Sequence, residues 1–157
     1  MEFHVRSARL TDVDTAMRIL MRGGDGVGEQ RGDTDRLRSL LFLPSATVVV
    51  AEVERRVVGV GVLSIRPTVR SGPFVGVIDE FGLEGSAGRA TRSARAAADA
   101  SGRSEIGSSI LEQLITSARN KGCARVEVSD PLAAAEPSLL KSAGFERRGV
   151  LLSRAIG

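Results

Sequence analysis

The fold turns on Ile78-Asp79-Glu80-Phe81-Gly82-Leu83-Glu84 and on what flanks it. These residues close an apolar-rich run, residues 74–83, that reads as a strand entered from Pro73. Residues 85–104 then change character, being Ala, Ser, Gly and Arg with almost no large apolar side chain. They can be helical on propensity but have nothing bulky to bury, so a flexible or helical insertion is expected at about 85–104. Next, Ile106, Ile110, Leu111, Leu114 and Ile115 repeat at helical spacing and mark an amphipathic helix that ends near Lys121-Gly122. Residues 124–128 read as another strand, residues 137–143 as a short helix stopped at Gly144, and residues 145–156 as a last strand or strands.

Upstream, residues 47–53 and 57–65 read as two strands joined by the turn Glu54-Arg55-Arg56. Val48, Val49, Val50 and Ala51 form a continuous apolar run, which suits a strand covered on both faces. Residues 3–8 alternate and read as a first strand. Thr11 then caps a helix through Val13, Ala16, Met17 and Leu20, with Asp12 and Asp14 in its first turn. Glycine-rich residues 23–32 read as a loop. A second short helix runs through Leu37, Leu40 and Leu41 to Pro44. The order is β-α-α-β-β-β-α-β-α-β.

The chain has 157 residues, of which 42% are hydrophobic and 26% charged. That length buries roughly two-thirds of the unfolded surface, so one domain spanning 1–157 is expected. No apolar run approaches the roughly 20 residues of a membrane helix, and the alternating N-terminus is no signal peptide. A single cysteine excludes an internal disulfide framework, and cytoplasmic residence is expected by default. The net charge is +3 with a pI near 9.9, because 20 of the 22 basic residues are arginine. Positive charge suits a phosphate-bearing ligand. With five Phe and no Trp or Tyr, platforms for stacking single-stranded nucleic acid are disfavoured, and no phenol is present for catalysis. One His and one Cys speak against a zinc site, and Cys123 reads as structural. Gly23-Gly24-Asp25-Gly26-Val27-Gly28 follows a helix rather than a strand, so it lacks the context of a dinucleotide-binding turn.

Five pieces in order resemble the Gcn5-related N-acetyltransferase (GNAT) family. Val5-Arg6-Ser7-Ala8-Arg9-Leu10-Thr11-Asp12 is similar to its opening strand and capped helix. Ile78-Asp79-Glu80-Phe81-Gly82-Leu83-Glu84 is similar to its fourth strand, although Gly85 stands where a proline is usual. Ile106-Gly107-Ser108-Ser109-Ile110-Leu111 is similar to its cofactor helix, Gly122-Cys123-Ala124-Arg125-Val126-Glu127-Val128 to its fifth strand, and Ala143-Gly144-Phe145-Glu146 to its near-C-terminal helix end. The resemblance implies an α+β fold, a mixed and mostly antiparallel sheet with helices on both faces. It also implies acetyl-CoA as co-substrate and a small-molecule or peptide amine as acceptor. The oligomeric state stays open, a homodimer included.

The same resemblance implies the site. The family's R-x-x-G-x-G/A loop offers backbone N–H groups to the coenzyme A pyrophosphate at a helix start. Here that window is Gly102-Arg103-Ser104-Glu105-Ile106-Gly107, with Glu105 in place of the first glycine and Arg103 one place late. Arg103, Ile106, Gly107 and Ser108 are the expected phosphate-side residues. An insertion that loops out leaves this cradle intact, whereas one that extends the helix backward removes it. The backbone near Phe81 and Leu83 is expected to bond the pantetheine arm where the fourth strand parts from the fifth. Glu80 is the expected general base. Strand alternation would point Asp79 to the opposite, more apolar face, with Phe81 and Leu83. The family's acid, a Tyr before the Gly-Phe, is Leu140 here. Two rival readings stand beside this one: a degenerate fold kept as a binding or regulatory module, and a basic nucleic-acid binder resting on the Arg-bearing residues 89–103.

Overall fold

The centre of the molecule follows from the strand β3 (Arg56–Pro67), whose two faces carry different residues. Val60 and Val62 are fully buried toward one layer, while Gly59, Gly61 and Leu63 face the other. β3 is the middle strand of a five-stranded sheet in the order β1-β2-β3-β4-β5. The others are β1 (His4–Ser7), β2 (Ala46–Val53), β4 (Phe74–Leu83) and β5 (Cys123–Val128). The first three junctions are antiparallel and β4 pairs with β5 in parallel. A parallel neighbour needs a crossover, which the helix α3 (Ser93–Asn120) supplies. This computed structural model describes residues 2–21, 31–84, 93–149 and 152–156.

Helices cover both faces. On one, α1 (Val13–Met21) and α2 (Arg31–Leu40) bring Val13, Ala16, Met17, Ile19 and Leu37 onto Val48, Val50, Val60 and Val62. On the other, Ile106, Ile110, Leu111 and Leu114 of α3 press onto Val49, Ala51, Leu63 and Ile78. The apolar run of β2 is therefore buried from both sides, as its composition predicts. At the β2–β3 turn, Glu54 and Arg55 both take positive φ, 50° and 66°, the twist that a two-residue hairpin demands.

α3 approaches the sheet too closely for side chains beneath it. A Cβ on Gly61 would lie 2.7 Å from Ile110 Cγ2 and 2.8 Å from Leu114 Cδ1, and one on Gly59 would lie 2.7 Å from Ile110 Cδ1. The first clash is the harder to relieve, because Cγ2 hangs directly on a β-branched carbon whose rotamer is fixed in a helix. The other end of the sheet is secured by charge. Arg6 on β1 donates to Asp12 at 2.7 Å and 3.1 Å and to Glu52 on β2 at 2.8 Å. Asp12, 7% exposed, also accepts the Arg9 backbone N–H at 2.7 Å, capping the turn Leu10–Asp12 that leads into α1. The cap expected of Thr11 thus falls to Asp12. The Arg6 guanidinium, offset in part by burial, and the Arg9 amide hold the Asp12 carboxyl below the usual carboxylate range.

Three sequence expectations change. The amphipathic helix does not start near Ile106, because α3 runs without a break from Ser93. A further short helix, α4 (Asp130–Ala135), opens on a proline, followed by α5 (Pro137–Ser142). No strand follows β5 among the described residues. Phe145 packs on the core, but Glu146, Arg147, Arg148 and Gly149 are exposed, so this stretch offers no apolar face to hold a strand. The glycine-rich loop falls outside the described residues except for Gly32, which belongs to α2.

Two measurements check this account. Gly61→Ala should lower unfolding stability by about 1–3 kcal/mol, the usual cost of overpacking, and more than Gly59→Ala. Asp12→Asn should cost about 2–3 kcal/mol at neutral pH, since it leaves Arg6 half-paired in a mostly buried site. A carboxyl lowered in the folded state contributes stability above its unfolded value near 3.9 and loses it as pH falls below. The difference between parent and Asp12→Asn in urea titrations should therefore shrink below about pH 4.

Candidate active site

Hydrogen-bonded pairing between β4 and β5 ends at Ile78↔Val128, yet β4 continues to Leu83. β5 ends there, and the chain turns at Ser129 into α4, so residues 79–83 of β4 lie past the end of β5, with Glu80 through Leu83 paired to β3. An extended ligand can add to a strand where its neighbour has ended.

The same place carries a bulge. Val62 pairs with Glu80 but Leu63 pairs with Ile78, so Asp79 is an extra residue on β4. A bulge turns neighbouring side chains to one side of the sheet and strengthens the local twist. Glu80 lies opposite Val62, on the α1 face, and the Ser64 hydroxyl donates to Asp79 on that face too. Asp79 does not share the apolar face of Phe81 and Leu83, as simple alternation predicts; it stands with Glu80. Phe81 and Leu83 pack toward α3. Glu80 makes no ion pair among the described residues. Its side chain is exposed. Partial desolvation first, and the Asp79 carboxylate second, push it above the usual carboxylate range.

The phosphate-side residues are arranged otherwise than a cradle. Gly102 through Ser108 lie inside α3, nine or more residues past its start at Ser93. Amides there bond to carbonyls one turn back, so none of the N–H groups at 105–108 is presented to an anion. The insertion extends the helix backward. The Arg103 guanidinium donates to Glu136 at 2.6 Å, between α4 and α5, and its buried Nε has no partner in the structure. Ile106 is 6% exposed, within the core. Gly107 is packed beneath Leu83 and Leu139: a Cβ there would lie 2.7 Å from Leu139 and 3.2 Å from Leu83. Ser108 turns away, lining a groove with Phe3, His4 and Glu112 beside β1. Leu140, where the family carries its phenol, is buried with Leu139 against α3. Among the described residues, no three His, Cys, Asp or Glu could hold a metal ion.

The structure therefore sets Phe81, Leu83 and Gly107 on the α3 side of the sheet, with Leu83 against Gly107, and Glu80 on the other face of the same strand. It ties Arg103 elsewhere and places Ser108 apart. Sequence reading missed Ser64 and Glu136 as partners. The adjacent charges Asp79-Glu80 inside an apolar strand were the available sign of the bulge; Glu136, before Pro137, carried none.

No family profile matches the sequence, and no curated protein does. Solved structures do match. Glucosamine-6-phosphate N-acetyltransferase from Arabidopsis thaliana aligns with TM-score 0.73 at 14% identity, covering 100% of both chains. An aminoglycoside acetyltransferase from an uncultured soil metagenomic sample, in complex with sisomicin, aligns with TM-score 0.73 at 16% identity over 99% of this chain and 97% of the other. An aminoglycoside N-acetyltransferase in complex with CoA aligns with TM-score 0.72 at 15% identity, over 98% and 95%. No helix among the described residues is long and apolar enough to cross a membrane. By sheet order, crossover and likeness to these solved structures, this chain has the fold of the GNAT acetyltransferases.

Proposed function

We propose that the protein is an acetyl-CoA-dependent N-acetyltransferase acting on a primary amine. The observation that carries the reading is the continuation of β4 past the end of β5, through residues 79–83, with Glu80 in that stretch. Structural neighbours are acetyltransferases, one of them in complex with CoA, which supports a coenzyme A thioester as the acyl donor. The pantetheine arm lies along the backbone of Phe81 and Leu83, beside Gly107. The amine approaches from the α1 face, where Glu80 takes a proton from the ammonium. Its raised carboxyl suits this role, because a base works best when its pKa moves toward the working pH. The amine nitrogen then attacks the thioester carbon, the C–S bond breaks, and the nitrogen's surplus proton passes through water to the thiolate, Leu140 offering no acid.

A second reading is favoured by one observation, the unbroken α3. With the amides of 105–108 inside the helix and Arg103 held by Glu136, the pyrophosphate has no preformed cradle. On that reading the fold serves as a binding or regulatory module without turnover.

Thermal melts with acetyl-CoA and with free coenzyme A separate the two. Acetyl-transfer predicts a saturable rise, worth about 2.7 kcal/mol at a hundred times Kd; no rise up to millimolar ligand favours the module. Glu80→Gln should keep that rise and lower turnover by about 10²–10⁴-fold; unchanged turnover removes Glu80 from the chemistry. The same variant has a stability signature of its own. A carboxyl raised in the folded state costs stability once ionised, so Glu80→Gln should melt higher than the parent at pH 7. That gain should vanish below about pH 4, where both proteins are neutral at this position.

A further inference from the structure

Single exposed apolar side chains are ordinary on a protein surface, but here they are segregated. Outside the C-terminal stretch 152–156, the exposed large apolar residues among those described are Leu10, Phe42, Leu43, Val69 and Phe74. All five lie at one end of the sheet. Leu10 follows β1, beyond Ala8, whose amide donates to the Val48 carbonyl at 2.9 Å near the start of β2. Phe42 and Leu43 lead into β2, Val69 sits in the turn between β3 and β4, and Phe74 opens β4. The segments are tied together: the Ile65 amide donates to the Ser45 carbonyl at 2.7 Å, and Lys121, just before β5, donates to the Pro44 carbonyl at 2.8 Å. Arg9, Arg66, Arg70, Arg119 and Lys121 belong to the same end. Its acids are fewer: Asp14 opens α1, while Asp35 and Glu127 are taken up by Arg38 and Arg125 at 2.6 Å and 2.7 Å. The opposite end, formed by the β2–β3 turn and Glu84, mixes both signs and exposes no large apolar side chain among the described residues.

We propose that this end of the sheet docks on an anionic phospholipid surface, with Phe42 and Val69 entering the headgroup boundary and the neighbouring arginines meeting lipid phosphates. Exposure decides against a groove. Val69 is 99% exposed and Phe42 70% exposed, so neither is flanked by walls that a partner's side chains could fill. A folded partner would have to supply a separate pocket for each projecting side chain, whereas a fluid headgroup layer closes around them without one. Charge selects the lipid, because each Lys or Arg near an anionic leaflet is worth about fivefold in binding. A second copy does not fit, because an isologous contact would set Arg70 and Arg119 against their own images. The chain then lies on the bilayer rather than across it, with the Leu83 end of β4 turned to solvent.

Sedimentation of the full chain with vesicles tests this. The parent should pellet with vesicles of phosphatidylcholine containing about a quarter phosphatidylserine and stay in solution with phosphatidylcholine alone. Raising salt should release it, since charges at the surface are screened. Val69→Asp and Phe42→Asp should each weaken binding about tenfold, the worth of one large apolar side chain withdrawn from water, and Arg70→Ala about fivefold. Melting temperatures should match the parent's, because these side chains are exposed. The chain contains no Trp, so Phe42→Trp and Glu2→Trp, the latter at the opposite end, carry a single indole each. Emission should shift to the blue with the mixed vesicles in the first and stay fixed in the second. A parent that remains in solution with the mixed vesicles overturns the proposal, and so does one that binds duplex DNA or polyglutamate in their stead. Pelleting that both Asp substitutions leave unchanged, or an indole shift in Glu2→Trp alone, overturns the placement at Phe42 and Val69.

Discussion

Everything in this fold hangs on how closely α3 approaches the sheet. Ile110 and Leu114 rest where Gly59 and Gly61 have no Cβ, so the helix axis sits nearer β3 than two layers of ordinary side chains allow. That closeness fixes the rotation of α3 about its axis. With Ile110 and Leu114 seated, Ile106 and Gly107 one turn earlier must point inward as well, toward Leu83 and Leu139. The helix therefore lies against the end of β4, with Gly107 packed beneath Leu83.

β4 twists with β3 throughout its length, and the extra residue at Asp79 adds to that twist. β5 pairs with β4 as far as its own last residue, Val128, after which the chain turns into α4. The bulge brings Asp79 and Glu80 to one face, where the Asp79 carboxylate adds to desolvation in making ionisation of Glu80 less favourable. A local irregularity thus supplies the charged neighbour of the shifted carboxyl.

Most of this was legible in the sequence wherever one periodicity dominated. The β2–β3 hairpin, β4 and the inward face of α3 follow from alternation or from the 106–110–111–114 repeat. Two things were not. Residues 85–104 satisfy helix propensity but lack bulky side chains, and composition alone does not say whether such a stretch continues a neighbouring helix; the structure extends it to Ser93, burying Gly102 and linking Arg103 to Glu136. The final strand was expected because Val150, Leu151 and Leu152 look strand-forming. A strand needs a partner as well as propensity, and among the described residues 152–156 belong to no element.

The continuation of α3 has an energetic consequence for any ligand that carries a pyrophosphate. To free the amides of 105–108, the helix must open past Ile106 and the Arg103–Glu136 pair must separate. Exposing one buried isoleucine costs about 1.5–3 kcal/mol, before any loss from the ion pair. A ligand that needs those amides sees its affinity cut by the population of the opened state, roughly 10–100-fold for that cost. A ligand held through the β4 backbone alone bears no such penalty. On the proposed function, donor binding thus divides into a pantetheine contribution from the β4 backbone and a phosphate contribution that the closed helix withholds. The missing phenol acts on a different quantity, the barrier to thiolate departure, and leaves binding untouched. Loss of the cradle and loss of the acid are therefore separable: the first weakens donor binding, and the second slows transfer from whatever donor is bound.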